Sequence, residues 1–327
     1  MSFSSNPCRD RSAGRGRYDW DMSFLSILFA LLLEQARPLK QGNPIHLSVR
    51  VWLRWVVRNL DTSKHHHAWL AWTVTVVVPA VLVFGVHWLL VWSLGWIAAA
   101  VWSIAILYAT LGFRQFSHHF TEIRDALVAG DEDLARQKLA VWMRMDVSAL
   151  PRSEIVRHVI EHSVLSAHHH VFGVFAWYSL LAAMGLGPSG AVLYRIGEYF
   201  VQYANRPPRP SSSPLSPALR AAASGAWYAM DWVPARITAL GFAFVGSFED
   251  AVDSWRQHEA QFPGDNDGVV LAATAGAVNV KLGALESLGN GQTPQPVHLR
   301  AVVGLVWRTV VMWMVFLALL SLARLLG

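Results

Sequence analysis

AWLAWTVTVVVPAVLVFGVHWLLVWSLGWIAAAVWSIAILYATLGF, residues 68–113, runs for 46 positions without an Asp, Glu, Lys or Arg, and its one histidine is His87. Drawn as a single helix it would be about 69 Å long, roughly twice the thickness of a hydrocarbon core. Two crossings joined by a turn near residues 91–95 fit that length. The core helices of a soluble protein are the competing reading, but they seldom go so far without a charge. Charge returns at Arg114.

The rest of the composition agrees with a bilayer. The 327 residues are 54% hydrophobic and only 15% charged, against about 25% charged in ordinary soluble domains. Sixteen tryptophans add amphipathic rings suited to a membrane interface. These figures exclude a disordered acidic chain, a disulfide-rich scaffold and a collagen-like repeat. Lys and Arg number 27 against 22 Asp and Glu, and the sequence pI is about 9.6. In so apolar a chain, cytoplasmic-side positive charge accounts for the excess. No patch interleaves aromatics with enough charge to call for nucleic acid, so none is expected as a partner. Cys8 is the only cysteine, so no disulfide forms within the chain.

Outward from the central run, residues 1–21 read as a mobile basic tail, and 22–67 as an interfacial or re-entrant helix followed by an amphipathic region. The apolar part, 22–33, is too short to cross a bilayer. Arg9, Arg11, Arg15 and Arg17 precede it as in a signal peptide, but Glu34, Gln35, Ala36 and Arg37 follow in place of a cleavage site. Residues 68–113 form a transmembrane hairpin and 114–170 a cytoplasmic helical region. In the latter, Asp131 caps a helix carrying Leu134, Leu139 and Trp142, and Pro151 opens the next. Seven Lys/Arg between 114 and 157 place this loop in the cytoplasm. Residues 171–248 are a membrane-associated region. Its apolar stretch 171–193 is interrupted by Gly185, Gly187, Pro188 and Gly190, its loop 206–217 is proline-rich, and 232–248 is a short apolar candidate. Residues 249–300 form a polar helical region around an Ala/Val helix, and 301–327 the C-terminal transmembrane helix. The fold expected is all-α: a polytopic helical membrane protein with re-entrant or interfacial helices and a cytoplasmic helical loop, crossing the membrane more than once. Beyond residue 171 the charge rule gives no consistent side, because Arg195, Arg206, Arg209 and Arg220 would lie outside after a simple crossing.

The polar residues allow several chemistries. His65, His66 and His67 adjoin the first span, and His168, His169 and His170 adjoin the third apolar stretch; imidazoles ligate Zn²⁺ and other borderline ions. Consecutive histidines on an α-helix point in different directions, however, and neither HExxH nor paired CxxC is present. Interfacial polarity is therefore favoured, and no metal is assigned. Glu154, His158 and Glu161 share a helical face. Glu161 is placed to bind Mg²⁺, activate a nucleophile or hold a cation, or else to pair with Arg157. Asp146 is open to the same chemistry or to ending a helix. Arg195 and Arg236 suit a phosphate, or else neutralise Glu198 and Asp231. There is no Walker A loop, no Rossmann GxGxxG and no GxSxG elbow.

Four stretches carry a resemblance: 146–161 (DVSALPRSEIVRHVIE), 187–195 (GPSGAVLYR), 232–240 (WVPARITAL) and 273–282 (ATAGAVNVKL). In order and spacing they resemble the CobD/CbiB and AmpE membrane-protein superfamily, and 43–46 resembles its early proline/histidine element. The CobD/CbiB branch implies an adenosylcobinamide-phosphate synthase, which joins adenosylcobyric acid to an aminopropanol derivative in ATP-dependent amide formation. That branch implies ATP and Mg²⁺, with Asp146 and Glu161 as catalytic carboxylates. Arg195, Glu198, Asp231, Arg236 and Lys281 are the expected ligand-binding residues. Departures from the pattern are local. Met145 and Val147 replace the Arg and Thr of a GRDTS-like motif, and 162–173 (HSVLSAHHHVFG) lacks the Glu-Asn and Asp-Gly groups. Glu198 and Asp231 each stand where Asn is usual. Stretch 170–181 (HVFGVFAWYSLL) looks closer to AmpE. The reading drawn from these departures is an AmpE-like inner-membrane signalling or regulatory protein, non-enzymatic and without an established cofactor. Its partners would be the bilayer and a membrane-associated ligand or signalling protein.

Overall fold

The computed structural model describes residues 24–37, 44–61, 65–143, 147–206, 215–258, 266–283 and 291–326. Thirteen α-helices run through them: α1 Phe24–Ala36, α2 Pro44–Leu60, α3 His65–Ser93, α4 Trp96–Thr110, α5 Phe113–Ala129, α6 Glu132–Met143, α7 Arg152–Ala167, α8 Gly173–Ala183, α9 Ser189–Ala204, α10 Pro217–Val245, α11 Phe248–His258, α12 Asn266–Val278 and α13 Pro296–Leu326. A π-helical turn, His168–Phe172, joins α7 to α8. Among the described residues the only β pairing outside this all-α arrangement is the isolated bridge Val280–Gln292. The chain packs as two compact units, Met1–Leu111 with Val174–Gly225 and Met314–Gly327, and Gly112–Gly173 with Ala226–Trp313.

In the first unit, α3 and α4 are apolar around their whole circumference, as lipid-facing helices are. The break between them falls at Leu94 and Gly95, where Gly95 takes φ 83°, a left-handed conformation that costs a glycine little. Only 22% of the most apolar window of α3 is buried, whereas the core helix of a soluble protein would be mostly covered. Trp88, Leu89, Trp92, Trp96, Ile97 and Val101 are all exposed. Such a surface is stable against hydrocarbon and not against water. α2 is amphipathic: Leu53 and Val56 are buried against Ala68, Ala71, Phe200, Ala204 and Leu219, and the indole of Trp52 donates to the Thr75 carbonyl at 3.2 Å. α8 and α9 approach very closely at Gly190, where a Cβ would lie 2.1 Å from the Trp177 carbonyl oxygen.

In the second unit, α5 ends on Gly130 in the left-handed conformation, φ 81°. Asp131 then caps α6, its Oδ1 accepting the Leu134 N–H at 3.0 Å, as the sequence predicts. Pro151 stands at the N-cap of α7, one residue before the expected first turn. α7 buries Ile155, Val156, Val159 and Ile160. α11 and α12 touch backbone to backbone at Gly276, where a Cβ would lie 2.2 Å from the Asp250 carbonyl oxygen.

Two sequence boundaries move. Stretch 232–248 is not a short element but the second half of the 29-residue α10, with Pro234 inside it. Its apolar pattern is masked by Asp231 and Arg236, both of which find polar partners. Stretch 171–193 is divided among the π turn, α8 and α9, with a break at residues 184–188. Gly185 and Gly187 in that break have φ 77° and 57°. Among the described residues, two helices are long and apolar enough to cross a membrane, at His67–Ser93 and Pro296–Ala323. The chain thus has an all-α fold with the long apolar helices of a helical membrane protein.

Candidate functional site

The charged face of α7 is built by helical spacing. Arg157 reaches back one turn to Glu154, with Nε at 2.9 Å from Oε2, and forward one turn to Glu161, with Nη1 at 2.8 Å from Oε1. Glu161 Oε1 also accepts the Gly283 backbone N–H at 2.7 Å, and Oε2 lies 3.7 Å from His158 Nδ1. The hydrogen bond from Arg157 holds the Glu154 carboxyl below its ordinary pKa, against a smaller opposing effect of burial. Burial works against the Arg157 charge, but its bonds to the two carboxylates outweigh it and raise the guanidinium pKa. Burial, followed by the Arg157 charge, lowers that of His158. One cation thus serves two carboxylates, so the group keeps net negative charge with Arg157 bound.

One turn further on, His162 packs edge-on against Trp142, ring centroids 4.5 Å apart, and Trp142 stacks on His119 at 5.9 Å. Burial, with lesser contributions from His170, His169 and His119, lowers the His162 pKa to about 4. This imidazole is neutral at physiological pH.

The π turn redirects the next side chains. Gly173 N–H bonds to the His168 carbonyl five residues back, so successive side chains there are not spread as on an α-helix. His168 and His169 bring their rings to a centroid separation of 4.9 Å. The two rings thus lie close together despite the expectation that consecutive histidines diverge. His168 and Asp231 are both fully buried. His168 Nε2 lies 3.1 and 3.3 Å from the two Asp231 oxygens, and its Nδ1 is 3.0 Å from Thr238 Oγ1. His169 Nε2 is 2.8 Å from Asp267 Oδ1, with its ring against the edge of Trp227. His168, His169 and Asp231 each offer a donor atom, and these atoms lie within 4.8 Å of one another.

Beside them Arg236 lies over the Trp232 ring, 4.0 Å from its centroid. Its Nη1 donates to the Trp232 carbonyl at 3.1 Å and to Asn266 Oδ1 at 3.2 Å. Asn266 Nδ2 donates in turn to the Tyr228 carbonyl at 2.8 Å.

Of the residues singled out by sequence, Glu161, Asp231 and Arg236 belong to the second unit, and so does Lys281. Lys281 is exposed, and its backbone N–H donates to the Gln292 carbonyl at 3.0 Å. Arg195 and Glu198 belong to the first unit, where they form an ion pair and Gln202 Nε2 donates to Glu198 at 2.9 Å. Asp146 lies outside the described residues, as do the side chains of His65 and His66. Sequence reasoning missed Thr238, Asp267, Asn266 and Gly283. Thr238 carried a usable signal: it follows Asp231 by seven positions, two turns along one face of α10. Asp267 and Gly283 carried none, because their partners are distant in the chain.

The family model described as CobD/Cbib protein matches residues 27–198. The cobalamin biosynthesis protein CobD of Stutzerimonas stutzeri is 29% identical over 320 residues, 90% of this chain and 96% of that protein. The protein of the same name from Chromobacterium violaceum is 30% identical over 239 residues, 67% of this chain and 69% of its own. That from Leptospira interrogans is 28% identical over 220 residues, 62% of this chain and 63% of its own. No solved structure matches. These findings overturn the closer kinship with the AmpE-like branch. With it fall the signalling function and the preference for a non-enzymatic role. The reason is one of extent: the departures cluster in a few short motifs, whereas the likeness to the Stutzerimonas stutzeri CobD protein runs nearly end to end. Together with the long apolar helices, the matches support a membrane-associated bacterial protein. The chain belongs to the CobD/Cbib protein family.

Proposed function

We propose that this protein is a cobalamin-biosynthesis enzyme of the CobD/CbiB type, an amide ligase that joins adenosylcobyric acid to an aminopropanol derivative at the expense of ATP. The observation that carries this reading is the 29% identity that spans 96% of the Stutzerimonas stutzeri CobD protein. Similarity that continuous covers the polar motifs as well as the apolar helices.

Amide formation needs an activated carboxylate and an amine held together, with anionic groups neutralised nearby. Mg²⁺ enters such sites with nucleotide phosphates and takes only one or two protein carboxylates. Glu161 fits that demand: Arg157 and Gly283 fix Oε1, and Oε2 stands beyond hydrogen-bond distance from His158 at 3.7 Å. Mg²⁺, when bound, would neutralise phosphate charge. Glu161 and Asp146 would supply its oxygen ligands, Arg157 orients Glu161, and Arg236 and Lys281, in the same unit as Glu161, bind anionic groups of the substrates. Glu198 and Asp231 set the positions of Arg195 and His168.

In the cell the chain is a multi-pass inner-membrane protein, with α3 and α4 as a hairpin, α1 interfacial or re-entrant and residues 114–170 in the cytoplasm. A reporter fused after Phe113 reads out that orientation. The test of function is direct. Purified protein with adenosylcobyric acid, aminopropanol phosphate, ATP and Mg²⁺ should yield the amide by mass spectrometry. No product from folded protein, beside an active family member, rejects the reading.

A further inference from the structure

The cluster His168, His169 and Asp231 has a donor set that hard-cation chemistry does not use. Mg²⁺ and Ca²⁺ take oxygen ligands, whereas two imidazoles and one carboxylate are the ligands of Zn²⁺ and similar first-row ions. Three protein ligands rather than four also leave a position open, as in catalytic zinc sites.

Three independent features of the geometry support a site rather than a chance meeting. Asp231 and His168 are completely buried, and a buried carboxylate needs a positive partner to offset its lost hydration. Thr238 Oγ1, 3.0 Å from His168 Nδ1, can accept that N–H, which leaves the Nε2 lone pair facing both Asp231 oxygens at 3.1 and 3.3 Å. In that tautomer two acceptors face each other, and a metal ion between them joins both; in the other, the Nε2 proton does. For a metal at zinc-like bond lengths, such separations correspond to a ligand angle of about 100°. Finally, Asp267 lies 2.8 Å from His169 Nε2. Carboxylates and hydroxyls on the far nitrogen of an imidazole orient metal-ligating histidines. Thr238 stands in that place for His168, and Asp267 for His169 with Nδ1 as its ligand atom.

We propose that His168, His169 and Asp231 bind one borderline transition-metal ion, of the Zn²⁺ class, with Thr238 and Asp267 as positioning residues. This site stands apart from the Mg²⁺ carried by a nucleotide and does not depend on the ligase reading.

The experiment uses the full chain in detergent, with His65, His66 and His67 replaced by Ala to remove the other histidine run. The protein is stripped with chelator, then titrated with Co²⁺ as a spectroscopic probe and with Zn²⁺ as competitor, without corrinoid or ATP. The expected result is one Co²⁺ per chain with ligand-field absorption, displaced by Zn²⁺ and not by excess Mg²⁺. His169→Ala and Asp231→Asn should each weaken binding by about tenfold or more, and Asp267→Asn by about tenfold. If Asp231→Asn fails to fold, the less buried His169→Ala decides. Absence of stoichiometric Co²⁺ or Zn²⁺ binding by folded protein overturns the proposal. So does binding that His169→Ala leaves unchanged. In that case His168 and Asp231 are a buried hydrogen-bonded pair alone. Failure of amide synthesis would leave these metal titrations unaffected, so the two readings fail separately.

Discussion

The carboxylate of Glu161 accepts the backbone N–H of Gly283 at 2.7 Å, across 122 positions of sequence. The same oxygen receives Arg157, so α7 is tied to the segment after α12 through a charged group. Glu161→Gln keeps the shape and removes the charge. Charge-assisted hydrogen bonds contribute about 1.5–3 kcal/mol, and thermal unfolding in detergent should show a loss at the lower end, since Gln can still accept. Amide synthesis should fall much further than stability does. Equal losses of both would make Glu161 a structural residue only.

Arg157→Ala should be more damaging to stability than Glu161→Gln, because it strips the counter-ion from Glu154 and Glu161 together. Leaving part-buried charge unpaired costs more than a pair contributes. The double variant Arg157→Ala/Glu161→Gln should recover part of the loss; strict additivity in a denaturation cycle would argue against the coupling.

Stability should also depend on pH through His162. Its pKa is about 4 in the folded protein against an ordinary value of 6.5. Between those values the unfolded chain binds the proton and the folded chain does not, so stability is full above pH 6.5 and declines as pH falls toward 4. His158 shifts in the same direction. His162→Asn should flatten the dependence of Tm on pH between about 6.5 and 4. An unchanged slope would exclude His162 as the source of the dependence.

Gly190→Ala and Gly276→Ala should each destabilise by about 1–3 kcal/mol or more, as overpacking does. Their new methyl groups would stand 2.1 and 2.2 Å from the carbonyl oxygens of Trp177 and Asp250. Gly85→Ala, where nothing lies within 4 Å, is the matched control and should leave Tm unchanged or slightly higher. Equal behaviour of all three would contradict the backbone contacts at α8–α9 and α11–α12.

Carbonate washing of membranes should leave the protein in the pellet. The exposed apolar surface of α3, with Leu82, Leu89 and Trp92 at 64%, 59% and 79% exposure, has no stable aqueous state. Release into the supernatant would reject a membrane-embedded chain.

How much of the molecule is legible in its sequence depends on how far each interaction reaches. The uncharged run 68–113 and the cap at Asp131 are local, and both were legible. The pairing of Glu161 with Arg157 was legible as an i,i+4 alternative, though not its choice among the others. Helix α10 was cut short because Asp231 interrupts its apolar pattern, and the histidine that satisfies Asp231 lies 63 positions away. Convergence of His168 and His169 was hidden by a change of helical pitch that residue spacing assumes away. Family placement went astray on residues 162–173, where polar groups are replaced over a short stretch and the remainder of the chain outweighs them.

The two limbs that meet at Gly95 are unequal. Helix α3, at 29 residues, is about 44 Å long, and α4, at 15 residues, about 22 Å. Against a hydrocarbon thickness of about 30 Å, one limb is too tall and the other too short. The exposed indoles of Trp92 and Trp96, on either side of the turn, are suited to anchor it at a headgroup layer. If the two helices form the membrane hairpin proposed above, so lopsided a pair would be a gauge of bilayer thickness: thin membranes would relieve the short limb, and thick ones strain it. On that proposed arrangement the acyl-chain length of the surrounding lipid would become a variable of this protein's stability, independent of anything dissolved in the water on either side.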